Sequence, residues 1–292
     1  MIMITAKFDY FAPSSVPEAL KMLAGEGSEA KLLAGGQSLI PAMRFRLSQP
    51  QALIDLNGVA DLGYMRTSNG HLAIGAMTRE TDLEESELVQ NKFHLLADAS
   101  HVIADPIVRN MATVGGNIAH ADPANDHPAV MLAYGAEVVA IGPGGSRTIA
   151  IDDFFTGLFE NALEHDEILT EIRIPTPAAG SGGSYQKIER KVGDYAISAV
   201  AVQLTMDGDT CTAARIGLTN VSAIPMRAES AEKALVGQTV NADALEAAGQ
   251  AASAECDPSA DLRGSVEYKR DLTRILTKRA IQSAVGRAKG NA

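Results

Sequence analysis

Two pairs of adjacent glycines constrain the fold of this chain more than any other feature. Gly35-Gly36 lies in the stretch LLAGGQSLIPAMR, and Gly115-Gly116 lies in MATVGGNIAHADP. Glycine has no Cβ, so consecutive glycines let the backbone turn tightly and approach another group closely. Backbone N–H groups in such a loop can converge on an anion, and a helix that begins just after the loop adds its dipole. The pattern therefore predicts either two structural turns or two loops that grip one elongated ligand.

Length and composition favour a globular protein with ordinary domains. The chain has 292 residues, of which 46% are hydrophobic and 21% are charged, a balance that can fill a core. The formal net charge is −11, which argues against nucleic acid or an anionic membrane as the main partner. Cys211 and Cys256 are far apart in sequence and form no CxxC motif, so a disulfide framework or a cysteine-ligated metal cluster is not expected. Because the opening segment lacks a basic-then-apolar signal, we expect a cytoplasmic protein.

The first section of the sequence predicts a small α/β unit. Ser15 and Glu18 are spaced as in a capping box, with Pro17 in the first turn of the helix that follows. Gly25 and Gly27 then end this helix. Gly25 and Gly27 also match a relaxed dinucleotide-binding pattern, but they follow a helix, whereas that pattern must follow a strand. The other predicted elements are a strand over 30–34, a short helix over 39–46 and a strand over 52–56.

The middle section predicts hairpins combined with helices. Asn69-Gly70 lies between two apolar segments and indicates a two-residue hairpin turn. His120 and His127 flank carboxylates in AHADPANDH, which suggests either a metal site or, as we favour, a polar loop that caps the next helix through Asp126. The predicted elements are a strand over 72–75, a helix over 88–103, a helix starting at 125–128 and reaching 134, a hairpin over 136–151 and a strand over 168–174.

A linker and a third section follow. The linker is predicted where proline, glycine and serine concentrate, over 175–184. Beyond it, strands over 196–206 and 212–218 are joined by the turn Asp207-Gly208-Asp209, and three helices follow near 226–236, 241–254 and 265–286. The last of these helices has an apolar stripe with lysine and arginine opposite, and the stripe contains Tyr268, Leu272, Ile275 and Leu276.

Both glycine segments strongly resemble the two FAD-binding segments of flavoprotein (medium) subunits of molybdenum hydroxylases. The resemblance is greatest to the medium subunits of aerobic carbon monoxide dehydrogenases, and it extends in order along essentially the whole chain. Further similar strings are Leu53–Asn57, Ile74–Thr78, Gly217–Val221 and Tyr268–Arg270. One departure is Met111-Ala112, where relatives commonly have Arg-Gly after the Arg109-Asn110 that this chain retains. It leaves the substrate of the parent complex open among carbon monoxide, a purine, an aldehyde and an N-heterocycle.

The resemblance implies an α+β fold in two domains. Residues 1–176 would form an FAD-binding domain of the vanillyl-alcohol oxidase (PCMH) type, with subdomains over 1–57 and 58–176. Residues 177–184 would be the linker, and 185–288 a smaller α/β domain like the C-terminal domain of the carbon monoxide dehydrogenase flavoprotein.

The resemblance also implies which residues contact the cofactor. Asp126 would hydrogen-bond FAD, Lys187 would lie near the polar edge of the isoalloxazine, and Tyr195 would cover its ring. A lysine at that edge would stabilise negative charge on the reduced ring. Ile103 and Leu169 would line the flavin region. The residues implied around the pyrophosphate and ribityl chain are Leu33, Ala34, Gly35, Gly36, Gln37, Ser38 and Leu39, with Thr113, Val114, Gly115, Gly116 and Asn117.

The function implied by the resemblance is that of an electron-transfer subunit of an oxidoreductase complex. A small subunit would pass electrons from two [2Fe–2S] clusters to the FAD, a large molybdenum-cofactor subunit would oxidise the substrate, and two such heterotrimers would pair. The external acceptor would be a quinone, NAD or oxygen. Two alternatives stay open: a self-contained flavin oxidase or dehydrogenase of the vanillyl-alcohol oxidase type, and a flavin-binding assembly factor without turnover.

Overall fold

A computed structural model describes residues 4–290, and its first part is a small three-layered α/β unit. Residues 1–3, which begin the segment used to argue against a signal peptide, lie outside the described residues. The parallel strands pair in the order β1-β3-β2. Ser15 caps α1 by accepting a hydrogen bond from the Glu18 amide at 3.4 Å, and Gly27 ends the helix with φ 68°, as predicted. The elements are β1 (Asp9–Phe11), α1 (Val16–Glu26), β2 (Ala30–Leu33), α2 (Leu39–Arg44) and β3 (Ala52–Asp55).

The second part is built on a five-stranded sheet with the strand order β4-β5-β10-β6-β7. Asn69 and Gly70 adopt φ of 49° and 79°, so the predicted hairpin turn between β4 and β5 is of the two-residue, positive-φ kind. A two-stranded hairpin lies beside the main sheet. The strands are β4 (Met65–Ser68), β5 (His71–Gly75), β6 (Glu137–Gly142), β7 (Gly145–Ala150), β8 (Phe155–Gly157), β9 (Glu160–Asn161) and β10 (Ile168–Pro175).

Six helices of the described residues lie between β5 and β6. The single helix predicted over 88–103 is wrong, because the chain leaves helical geometry at Phe93, with φ −126° and ψ 57°. The break turns Phe93 into the core, where its ring meets Tyr134 edge-on at 6.2 Å. The helices are α3 (Glu80–Glu84), α4 (Glu87–Lys92), α5 (His94–Val102), α6 (Pro106–Arg109), α7 (Val114–His120) and α8 (Asp126–Tyr134).

The third part is an antiparallel four-stranded sheet covered by helices. Residues 181–184 were expected in the linker, but they belong to β11. Their glycines are required by packing rather than by flexibility, because a Cβ on Gly182 would lie 2.0 Å from the Ala284 carbonyl oxygen of the last helix. The elements are β11 (Ser181–Glu189), β12 (Ala196–Asp207), β13 (Thr210–Thr219), β14 (Met226–Arg227), α9 (Glu229–Leu235), α10 (Ala242–Glu255) and α11 (Val266–Ala288).

The face predicted for α11 is partly wrong. Tyr268 was placed on the apolar stripe but is 47% exposed, whereas Lys269 is 1% exposed. The Lys269 ammonium is buried because it binds the Asp261 carboxylate at 2.8 Å. Leu276 lies in the core as predicted. No helix within residues 4–290 has the length and hydropathy needed to cross a bilayer.

The first two parts and the third are joined by partly buried hydrogen bonds and by the packing of a buried helix. The Arg287 guanidinium of α11 binds both carboxylate oxygens of Asp98 on α5, at 2.7 and 2.9 Å, and Asp98 also accepts the Tyr185 amide at 3.0 Å. Helix α8 is buried along its whole length, since it lies between the five-stranded sheet and the third part. A Cβ on Gly217 of β13 would be 2.1 Å from the Ala129 carbonyl oxygen of α8. The start of α8 is therefore fixed from both sides.

Candidate functional site

The first glycine loop leaves a row of backbone amides free. Gly36 has φ 73°, which turns the chain from β2 into α2. Gln37 folds back to donate from Nε2 to the Gly35 carbonyl at 2.9 Å. The amides of Gly36, Gln37, Ser38 and Leu39 donate no hydrogen bond within residues 4–290, and Ser38 does not cap α2 with its side chain. The loop thus offers four adjacent donors, the chemistry that holds a phosphate group.

The second glycine loop uses its amides differently. Thr113 Oγ1 accepts from the Gly116 amide at 3.2 Å and so caps α7. The Gly115 amide donates to the Ala76 carbonyl at 3.0 Å. Within the same turn, the Val114 amide donates to Thr78 O at 3.1 Å and the Asn117 amide donates to Thr113 O at 2.9 Å. The expectation that this pair also aims free N–H groups at a ligand is therefore wrong, because the Ala76 carbonyl oxygen and the Thr113 hydroxyl already accept from the amides of Gly115 and Gly116.

Gly115 and Gly116 serve close packing instead. A Cβ on Gly115 would lie 2.6 Å from both the Cβ and the carbonyl oxygen of Ala76, at the end of β5. The group of this loop that could bind a ligand is the Asn117 side chain. Its Oδ1 atom is buried and has no hydrogen-bond partner within residues 4–290. Buried polar atoms in folded proteins are normally paired, so an orphaned oxygen on this loop indicates a missing polar partner.

The two loops lie against each other, although 80 residues separate them in sequence. A Cβ on Gly35 would be 2.2 Å from the Met111 carbonyl oxygen and 2.7 Å from Ala112 Cα. On the other side, a Cβ on Gly116 would be 3.3 Å from Ala34 Cβ. The structure thus brings together the residues predicted over 33–39 and 113–117, and glycine at position 35 is what permits their approach.

Two residues outside the prediction connect these loops. Arg79 donates from Nη1 to the Met111 carbonyl oxygen and from Nη2 to Asn57 Oδ1, the latter at 2.6 Å. Asn57 Nδ2 donates in turn to the Ala34 carbonyl oxygen at 3.0 Å. The sequence signal for both was weak: Asn57 ends one string of the resemblance, and Arg79 directly follows another.

Asp126 and Lys187 form a buried pair next to this region. Lys187 Nζ lies 3.1 Å from Asp126 Oδ2, 3.2 Å from Glu189 Oε2 and 2.9 Å from the Val102 carbonyl oxygen. Tyr185 Oη donates to the other oxygen of Asp126 at 2.6 Å. The side chains of Lys187 and Asp126 are 3% and 8% exposed. The geometry brings these two predicted residues together and fixes both.

Burial governs the ionisation of this cluster. Burial raises the pKa of Asp126, while the charge of Lys187 and the hydrogen bond from Tyr185 partly offset that shift. Burial and the neighbouring Asp126 also raise the pKa of Tyr185 well above its ordinary value, so the phenol stays a donor. The favoured expectation that Asp126 caps α8 is wrong: Asn125 occupies the cap position, and the Asp126 carboxylate binds Tyr185 and Lys187 instead.

The histidines do not form a metal site. His127 Nε2 lies 2.7 Å from Glu80 Oε2, and both side chains are fully buried. His120 lies 3.9 Å from Asp122 and packs against the Phe159 ring at 5.2 Å between centroids. Within residues 4–290, no group of three or more histidine, cysteine or acidic side chains could hold a metal ion.

The three remaining predicted residues lie in different environments. Ile103 and Leu169 are each 5% exposed, and Leu169 packs in the main core. Tyr195 is 43% exposed, and the Arg263 guanidinium lies 5.7 Å from its ring centre. Burial, with the charges of Asp122 and Asp126, raises the pKa of Tyr195 above its ordinary value. Contacts of these three with a cofactor stay predictions.

Comparison with known proteins agrees with this geometry. Residues 6–177 match the family model described as the FAD binding domain in molybdopterin dehydrogenase, and residues 183–284 match the CO dehydrogenase flavoprotein C-terminal domain. The chain belongs to this FAD-binding family. The predicted fold class, an FAD-binding domain in two parts followed by a smaller C-terminal domain, is confirmed, and so are FAD as the cofactor and the assignment to the oxidoreductase flavoproteins.

The relatives match over nearly their full length. The carbon monoxide dehydrogenase medium chain of Hydrogenophaga pseudoflava is 45% identical over 98% of this chain and 99% of its own. The glyceraldehyde dehydrogenase medium chain of Sulfolobus acidocaldarius is 35% identical over 96% of this chain and 99% of its own. A solved carbon monoxide dehydrogenase from Hydrogenophaga pseudoflava superposes with a TM-score of 0.96 at 47% identity, covering 98% of this chain and 99% of that one. The chain is therefore an FAD-binding subunit of the molybdenum hydroxylase type.

Proposed function

We propose that this chain carries electrons within a molybdenum hydroxylase complex. A small subunit with [2Fe–2S] clusters would supply electrons to its FAD, a large molybdenum-cofactor subunit would oxidise the substrate, and an external acceptor would be reduced. The observation that carries the proposal is the row of free amides over 36–39, in a chain that matches medium subunits over its whole length. Bound FAD would exchange electrons singly with the clusters and in pairs with the acceptor.

The chain's own residues would bind and orient this cofactor. The amides over 36–39 would hold the diphosphate, and Asn117 Oδ1 would accept a hydrogen bond from a hydroxyl of the cofactor. Lys187 and Asp126 would form an ion pair next to the cofactor, and this pair would be shielded from water because both side chains are buried. The chain has only two cysteines, both of them free, too few for a four-cysteine cluster, which supports a partner as the one-electron donor.

The test is reduction of the flavin by reconstitution. The FAD-loaded chain is mixed anaerobically with substrate, first alone, then with either partner and finally with both. We expect the visible absorption of the flavin to bleach only when both partners are present. Bleaching by substrate with the chain alone would instead favour a self-contained flavin oxidase or dehydrogenase. A native complex whose flavin is never reduced, although its metal centres are, would favour the non-catalytic assembly factor.

The assembly and location belong to the same proposal. We expect a dimer of heterotrimers in the cytoplasm, with the subunits present in equal amounts. Analytical ultracentrifugation of the native complex and cell fractionation measure these two properties. The match to medium chains supports the assembly, since this chain spans 99% of the length of its relative.

A further inference from the structure

The side chains of Arg79 and Asn57, here called the Arg79–Asn57 bridge, connect the two glycine loops. One end is the Met111 carbonyl oxygen, which precedes the second loop, and the other is the Ala34 carbonyl oxygen, which precedes the first. The link between the two side chains is a hydrogen bond of 2.6 Å from Arg79 Nη2 to Asn57 Oδ1. A charged donor makes such a bond roughly twice as strong as a neutral one.

The Arg79 end of the bridge is attached firmly to the second loop. The Arg79 backbone pairs with Thr113, and the next amide, that of Glu80, donates to the Ala112 carbonyl at 3.1 Å. The Arg79 amide donates to the Asp82 carboxylate at 3.1 Å. Since the backbone of Arg79 is held in place, its guanidinium reaches the first loop only through the side chain of Asn57.

The Asn57 end is oriented by an ionised carboxylate. Asp55 Oδ1 accepts from the Asn57 backbone amide at 2.9 Å and from the Asn57 side-chain Nδ2 at 2.5 Å, and Asp55 Oδ2 accepts from Tyr10 Oη at 2.6 Å. Burial would raise the pKa of Asp55, but the hydrogen bonds from Tyr10 and Asn57 and the charge of Arg79 lower it. The carboxylate therefore stays charged and turns Asn57 so that its carbonyl oxygen faces Arg79.

The separation of the loops is consequently limited in both directions. The contact of Gly35 with Met111 and Ala112 prevents the loops from moving closer. The bridge prevents them from moving apart, and it is the only hydrogen-bonded side-chain connection between the segments 34–39 and 111–117 among the described residues. It also places a positive charge between two loops that would surround a diphosphate.

We propose that Arg79 and Asn57 are positioning residues that fix the spacing of the two glycine loops and thereby set the affinity for the diphosphate of FAD. This inference rests on the proposed FAD-binding function. Arg79 acts through the carbonyls of Met111 and Ala34, so its effect is on binding rather than on electron transfer itself.

The test compares FAD dissociation constants of the flavin-depleted native complex, with this chain as wild type or variant. Arg79→Gln removes the charge and one end of the bridge, and Asn57→Ala removes its middle. We expect each to weaken FAD binding about tenfold or more, and the double variant to bind as the weaker single variant does, because the two act in series. Arg66→Gln is the matched control: this arginine is on β4, its side chain is 65% exposed, and we expect an unchanged constant.

A second variant and a second measurement separate positioning from folding. Arg79→Lys keeps the charge but cannot reach both acceptors, so we expect an intermediate dissociation constant. Thermal unfolding of each flavin-free variant is measured in parallel, and titrations are made well below the transition. Equal FAD affinity of Arg79→Gln, Asn57→Ala and wild type would overturn the bridge while leaving the proposed function intact. Failure of the wild-type complex to bind FAD would overturn both.

Discussion

Replacing Gly35 by alanine tests the contact that holds the two glycine loops together. The added Cβ would lie 2.2 Å from the Met111 carbonyl oxygen, whereas ordinary contacts of a Cβ begin at 3.4 Å, so the atoms must separate by about 1.2 Å. Both nearest groups, Met111 O and Ala112 Cα, are backbone and cannot move aside by changing rotamer. Overpacking of this kind costs typically about 1–3 kcal/mol, and we expect the upper part of that range.

The opposing effect of this substitution is small. Alanine lowers the entropy of the unfolded chain and so stabilises by about 0.4–1 kcal/mol. The net expectation is a loss of about 2 kcal/mol in the free energy of unfolding and a lower FAD affinity, because the loops are pushed apart. For a protein of this size the loss lowers the melting temperature by roughly 3 °C. Circular dichroism during heating measures the stability, and flavin fluorescence titration measures the affinity.

A matched control uses a glycine in open space. Gly25 lies inside α1, and a Cβ there would have no neighbouring atom within 4 Å. Gly25→Ala should therefore raise stability by about 0.5–1 kcal/mol, since alanine is the better helix former. If Gly35→Ala melts at the wild-type temperature or above, the loops are not in the tight contact on which the site depends.

Two further predictions concern buried charges. Lys187→Met leaves the Asp126 carboxylate buried without its cation and should lower the unfolding free energy by about 3–5 kcal/mol. Adding Asp126→Asn to the same chain should restore part of this loss. An unchanged midpoint of urea unfolding for Lys187→Met would contradict the prediction. His127→Gln tests the pair with Glu80: burial lowers the pKa of His127, but the charge and hydrogen bond of Glu80 outweigh it and raise the pKa above its ordinary 6.5. The stabilisation from this pair is therefore complete below about pH 6.5 and is lost as the pH rises through the higher pKa of His127 in the folded state. Between these two pH values the wild type should lose stability relative to His127→Gln. Parallel stability–pH profiles of the two proteins would refute this prediction.

Local sequence patterns predicted the elements whose causes are local. The helix cap at Ser15, the positive-φ turn at Asn69-Gly70 and the first residue of α8 each depend on residues within one turn, and these three lie where expected. The reciprocal bond of the capping box is shifted by one residue, because Glu18 accepts from the Ser14 amide. The break at Phe93 was missed because helical spacing continues across it, and only the distant Tyr134 explains why the ring leaves the helix. The resemblance to known flavoproteins gave the fold class without requiring those details.

Long-range pairing limited what could be predicted of the site. From sequence alone Lys269 is expected to be solvent-exposed, but the fold places Asp261 beside it. Gly182 is likewise expected in a linker, but α11 packs against it in the fold. The Arg79–Asn57 bridge could not be predicted for the same reason, because the side-chain partners of Arg79 are distant from it in sequence. The segments 33–39 and 113–117 lie against each other, as their shared glycine pattern suggested, and their contacts with a cofactor stay predictions.

That shared pattern nevertheless covers two different uses of glycine. In the first loop the amides over 36–39 donate to no acceptor among the described residues, so these donors are free for a ligand. In the second loop the carbonyls of Ala76 and Thr78 already accept the amides of Gly115 and Val114, and the absence of a Cβ serves packing. The difference lies in β5, which ends beside one loop and not beside the other. A glycine pair therefore signals a close approach, and the tertiary structure determines whether the approaching group is a ligand or the protein's own backbone.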